Sequence, residues 1–261
     1  MNSNLTFVQA FGDLGQIIAR RWWALLLLAV GLVAASWLSQ IVGAVVAPPS
    51  EVGTLAGPMR PWDFGWSMFA FGLTQATLVV IARGPMGYPV FRGTSPVLRF
   101  VKGLAWATLA ALAAAGPGLA VMAVEPPGRD PITVIVPGIA LLLVGALALP
   151  ILATAAAGAS LGGSHRVVYR YGWRALRYNA FHLMVTFLIL GGGATVAGLF
   201  LNNLTLQGLF DALGPDLADG LEDLLATLIF LPAWMLPVLA AGRLAMADLA
   251  ASPEGTADVF D

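Results

Sequence analysis

Cysteine is absent from the 261 residues, which excludes disulfides, thiolate metal sites and cysteine nucleophiles. Charge is nearly as scarce. Only 10% of residues are Asp, Glu, Lys or Arg, against about 25% in soluble domains. The net charge of −1 offers no basic surplus of the kind a nucleic-acid partner requires. Histidine occurs twice, at His165 and His182, and without neighbouring carboxylates these make poor metal or catalytic sites. What fills the chain is apolar: 59% hydrophobic residues and a mean hydropathy of +0.84. The class this implies is an integral membrane protein.

Stretches long enough to cross a hydrocarbon core of about 30 Å occur at roughly 22–46, 63–82, 103–124, 133–158, 181–201 and 224–247. Turn-rich breaks separate them: APPSEVGTLAGPMRP, RGPMGYPVFRGTSP, EPPGRDP, LGGSHR and NNLTLQGLFDALGPDLADGLED. Arg20 and Arg21 precede the Leu-rich first run in the manner of a signal peptide, but a polar lead and five further spans favour a retained helix. Threading the chain with a cytoplasmic N-terminus sets eleven of the thirteen Lys and Arg residues inside, leaving only Arg60 and Arg129 outside. This positive-inside bias predicts that both termini are cytoplasmic. The span cores hold Ser36, Ser39, Gln40, Thr74, Gln75, Thr77, Thr108, Thr154, Thr186, Thr195 and Thr227, and read as free of Asp, Glu, Lys and Arg. Ion-coupled transport and intramembrane metal catalysis need charged groups at that depth, so both classes lose weight.

Three segments that precede alternate spans share a pattern: TFVQAFGDLGQIIARRWW, SPVLRFVKGLAW and SHRVVYRYGWRALRYNAF. Each is short and amphipathic, with basic residues set against the start of a span. An amphipathic segment lying in the cytoplasmic interface can turn the chain into the bilayer, its arginines near anionic headgroups. The expected architecture is therefore all-α: one domain over 1–261, six transmembrane helices as three hairpins, each preceded by an interfacial amphipathic helix. The pseudo-repeats fall at about 5–82, 95–158 and 164–247, and 248–261 reads as a short acidic cytoplasmic tail.

Val136-Pro137-Gly138 opens the fourth span, Pro150 lies near its far end, and a basic amphipathic helix ending in Tyr178-Asn179 leads into the fifth. These features resemble the six-helix membrane domain that accompanies glycerophosphoryl diester phosphodiesterases and related bacterial envelope proteins. About 60 residues carry the signature, from Val134 to Gly193. The resemblance implies a six-helix fold in a bacterial inner membrane. The soluble catalytic barrel has no counterpart in these residues, so phosphodiester hydrolysis is not implied.

Among candidate sites, HRVVYRYGWRALRYNAFH stands out. At 100° per residue Arg166, Arg170, Arg174 and Arg177 fall within about 80° of one another beside Trp173, with Val168, Tyr171, Ala175, Tyr178 and His182 opposite. Such a stripe, about 16 Å long, can grip phosphate oxygens bidentately. Read more plainly, it anchors the third hairpin at the interface, and that role needs no ligand. Arg166, Arg170, Trp173, Arg174 and Arg177 are thus the candidate residues for an anionic lipid or phosphate. The acids Asp211, Asp216, Asp219, Glu222 and Asp223 lack the alternation of a calcium loop and read as a solvated cap. Most tryptophans mark interfaces. Small residues, including Gly103, Ala107, Ala111 and the triplet Gly191 to Gly193, imply close helix packing. Prolines in the fourth and sixth spans could kink those helices around a cavity.

No catalytic constellation, metal site or cofactor motif emerges. The expected function is non-enzymatic: an inner-membrane protein associating with anionic lipids or partner membrane proteins, in envelope organisation or as an accessory subunit. The alternative is a carrier of a lipid or amphipathic small molecule, with kinked walls and the arginine stripe reading the headgroup.

Overall fold

The computed structural model describes residues 5–46, 61–90, 95–123, 132–204 and 215–251. Every regular element among them is helical: α1 (Phe7–Val46), α2 (Pro61–Met86), α3 (Pro96–Ala123), α4 (Ile132–Ser160), α5 (His165–Arg174), a π-helical turn (Ala175–Asn179), α6 (Ala180–Leu204) and α7 (Pro215–Ala251). Six helical runs are long and apolar enough to cross a membrane: α1 to α4, the joined α5–α6 run, and α7. The class is therefore a multi-pass membrane protein.

Local chemistry sets the helix starts. Thr6 and Gln9 form a reciprocal capping box before α1, with Gln9 N donating to Thr6 Oγ1 at 3.4 Å and Thr6 N to Gln9 Oε1 at 3.2 Å. Ser95 caps α3 by accepting from Leu98 N at 3.1 Å. Proline opens α2, α3 and α7, where its missing N–H leaves no helical bond unmade. In all three amphipathic segments the first i to i−4 bond ends on the carbonyl of a hydroxyl residue: Thr6, Ser95 and Ser164.

These segments join their spans in different ways. At Arg21 the backbone leaves helical values (φ −137°, ψ 23°), which divides α1 into an amphipathic arm and an apolar span. The stretch beginning at Ser95 runs into the rest of α3 as one helix. In the third case the π turn connects α5 to α6. Two helix ends close in Schellman turns on a left-handed glycine. Gly87 (φ 63°) directs Tyr88 N back to Arg83 O, and Gly162 (φ 102°) lets Gly163 N reach Gly158 O. The second turn reverses the chain from α4 into α5.

Consecutive spans pack on one another, and α7 lies at the centre, touching α1, α2, α4 and α6. Half of its most apolar stretch is buried, against 17% for α1 and α4. Elsewhere the outward faces are apolar, with Leu27, Ile41, Val80, Leu143 and Phe200 all exposed. In water such a surface would drive association; in lipid it is the solvated face. Between α3 and α4 the backbones approach so closely that a Cβ at Gly103, Gly118 or Gly145 would collide with the neighbouring helix. Ala107 and Ala111 continue that buried stripe. The triplet Gly191 to Gly193 departs from the packing expectation, since among the described residues no atom beyond their own stretch of helix lies within 4 Å of where their Cβ atoms would be.

Candidate functional site

The described Lys and Arg residues gather at one end of the bundle, the basic end, where two acidic side chains pair with three of them. The last turns of α7 carry Arg243 and Asp248. Asp13, on the arm of α1, accepts from Arg243 Nε at 2.7 Å and Nη2 at 2.9 Å, a fork in which both carboxylate oxygens are used. Asp248 accepts from Arg170 Nη2 at 2.7 Å and from Arg174 Nη1. Both carboxylates are buried. One helix terminus is thus clasped on one side by the first amphipathic segment and on the other by the third.

Neighbouring groups close the clasp. Tyr88 stacks its ring over Gly242, where any side chain would collide with it, and Tyr171 sits over Gly158 in the same way. Among the described residues the Tyr88 hydroxyl is buried without a hydrogen-bond partner, and the Tyr171 hydroxyl is buried beside the Asp248 carboxylate. Burial pushes the Tyr88 hydroxyl above the ordinary tyrosine range; the Asp13 carboxylate adds to the shift, and Arg243 offsets part of it. Leu5 N donates to Asn179 Oδ1 at 2.7 Å, and the rings of Phe7 and His182 lie 4.8 Å apart. These contacts tie the start of the described chain to the π turn. Arg20 Nη1 donates to Pro85 O at 3.2 Å, tying the α1 arm to the end of α2.

The five residues expected to bind an anion divide into two sets. Arg170 and Arg174 are paired with Asp248, so the stripe is first a structural element. Arg166, Trp173 and Arg177 are exposed, and Trp173 keeps 60% of its surface. Arg177 lies over the Tyr178 ring at 5.3 Å. Val168, Tyr171 and Ala175 are buried as the helical wheel requires. Tyr178 is not: it is about half exposed, and Asn179 is buried instead. The π turn explains the exchange, because its wider ring inserts about one residue and slips the phase of everything after it.

Asp13 and Asp248 were missed as site residues, although both carry a legible signal. Ala10, Asp13, Leu14 and Ile17 are one buried face, as are Ala241, Leu244, Ala245 and Asp248. An acid in the i, i+3, i+4, i+7 set of an apolar face is a buried charge in need of a partner. Position 248 therefore belongs to the last helix rather than to an acidic tail; residues 252–261 lie outside the described set.

Away from the basic end, α1, α2, α3, α4 and α7 line an open cavity of about 650 Å³. Its α7 wall is one helix face running from Asp223 through Thr227 and Phe230 to Trp234. The proline-bearing fourth and sixth spans do form walls, joined by the first three spans. None of the five predicted anion-binding residues borders it. Trp66 and Trp234 line this space. Next in sequence to the lining Thr74, Gln75 is fully buried and donates from Nε2 to Trp234 O at 2.8 Å, beside the carbonyl that Pro237 deprives of its donor.

Among the described residues no three His, Asp or Glu side chains converge as a metal site requires. Asp211 lies outside the described set. No protein-family model, curated protein or solved structure matches the chain.

Proposed function

We propose that this is a non-enzymatic inner-membrane protein that associates with anionic lipid through its basic end, both termini cytoplasmic and the six spans arranged as three repeated hairpins. The observation that carries the reading is the exposed face of α5 and the π turn. There Arg166 and Arg177 stand beside Tyr169, Trp173, Leu176 and Phe181, all open to the surroundings. Guanidinium groups flanked by exposed aromatic and apolar side chains suit the boundary between headgroups and acyl chains. The arm of α1 presents Val8, Phe11 and Ile18 outward with Arg20 and Arg21 at its end, and so repeats the chemistry. The three helix starts on the carbonyls of hydroxyl residues Thr6, Ser95 and Ser164 support the repeat. The resemblance to the phosphodiesterase-associated membrane domain accords with this architecture and adds no activity.

The test compares Arg166→Ala/Arg177→Ala with the wild type by native mass spectrometry after extraction into mild detergent. The double variant is expected to retain several-fold less anionic phospholipid while unfolding at the same denaturant concentration. Unchanged lipid retention would sink the reading. Arg170→Ala serves as the contrast, since its loss acts through Asp248 and lowers stability.

A further inference from the structure

We propose that the cavity between α1, α2, α3, α4 and α7 is a binding site for an amphipathic organic cation, a molecule with an apolar body and a single positive charge. The volume of about 650 Å³ lies within the roughly 300–1,000 Å³ of small-molecule sites. The lining is mostly apolar and carries two indoles and two phenyl rings, Trp66, Trp234, Phe71 and Phe230. Phe230 and Trp234 are stacked with centroids 6.2 Å apart and present a continuous aromatic wall. Aromatic faces attract cations, and the attraction strengthens where water is excluded.

Charge decides the sign of the ligand. Asp223 is the one ionisable residue in the lining, exposed at the cavity's rim and about 16 Å along α7 from Trp234. Asp219 and Glu222 precede it on the same end of α7. The nearest described basic residue on this helix is Arg243, twenty positions or about 30 Å further along. Among the described residues an arriving cation meets no like charge at this end, whereas an anion meets three carboxylates. Within the cavity, Thr74 Oγ1 donates to Ala70 O at 2.8 Å, which leaves its lone pairs free to accept. A cation carrying N–H groups is suited to that acceptor, and a permanently charged one still meets the rings and the carboxylate.

The inference rests on the membrane-spanning architecture and not on lipid binding at the basic end, so Arg166→Ala/Arg177→Ala leaves it untouched. The experiment uses the full chain in nanodiscs with radiolabelled tetraphenylphosphonium, and tetraphenylborate as a probe of the same shape and opposite charge, each corrected for empty nanodiscs. Saturable binding of tetraphenylphosphonium alone, near one per chain, is expected. Asp223→Asn, an exposed and nearly isosteric change, should raise its Kd roughly fivefold to tenfold. Trp234→Leu should weaken binding further by removing one aromatic face. Equal binding of the two probes, no saturable binding above empty nanodiscs, or an Asp223→Asn variant that binds as the wild type does would each overturn the proposal.

Discussion

Asp13→Ala isolates the contact between the arm of α1 and the end of α7. The substitution removes both acceptors of the Arg243 fork, whose N–O distances are 2.7 and 2.9 Å. The side chain of Arg243 keeps only 16% of its surface in contact with solvent, so water can compensate little of the lost partner. Breaking a fully buried pair costs about 3–5 kcal/mol; residual access on the Arg243 side brings the expectation to about 2–4 kcal/mol. The measurement is reversible unfolding in mixed micelles of rising SDS fraction, with Asp13→Ala, Arg243→Ala and the double variant forming a cycle. A coupling energy of about 1–3 kcal/mol is expected, because the two residues share one contact. Asp13→Leu with Arg243→Met should recover most of the stability, since apolar replacement of a buried pair is often neutral or better. A cost for Asp13→Ala below about 0.5 kcal/mol, the range of exposed ion pairs, together with coupling indistinguishable from zero, would refute the clasp.

Two other outcomes follow from the same end of the molecule. Because burial holds Tyr88 above its ordinary pKa, its contribution to stability is complete below about pH 10 and declines as pH rises beyond that. Tyr88→Phe should flatten the alkaline fall in unfolding free energy by the share of one proton, and an unaltered slope would count against the buried placement. The natural absence of cysteine makes single-cysteine labelling unambiguous: in right-side-out membranes an impermeant maleimide should modify Asp219→Cys and spare Ser95→Cys, and the reverse pattern would invert the proposed orientation.

The six spans were legible because apolar length is a local property, readable without knowing what packs on what. The amphipathic starts were legible for a similar reason, as Thr6-Phe-Val-Gln9 carries its own capping box. The fate of the arginines was not. A helical wheel shows that Arg170 and Arg174 share a face, but only the tertiary path of α7 brings Asp248 to them. The π turn also escaped, since a phase slip at Ala175–Asn179 leaves no mark on composition and moves Tyr178 outward in exchange for Asn179. The cavity stood in between. Asp223, Thr227, Phe230 and Trp234 recur at helical spacing on one face, yet whether such a face meets another helix or an empty space depends on four other spans.

The placement of opposite charges on α7 bears on which arrangement of the bundle is allowed. Arg243 and Asp248 are five residues apart, so they project about 140° from one another at 100° per residue and meet different neighbours. Asp13 on α1 answers the arginine, and Arg170 with Arg174 on α5 answers the aspartate. Exchanging the two amphipathic segments would set Arg243 against two arginines and Asp248 against Asp13, leaving like charges together in a partly buried setting. Two apolar contacts in their place would hold the helices as firmly and would not distinguish the two arrangements. With two amphipathic segments seated on the end of one central helix, the value of the buried charges lies in the mispairing they forbid. This accounts for acids on otherwise apolar faces, where each alone would be unfavourable.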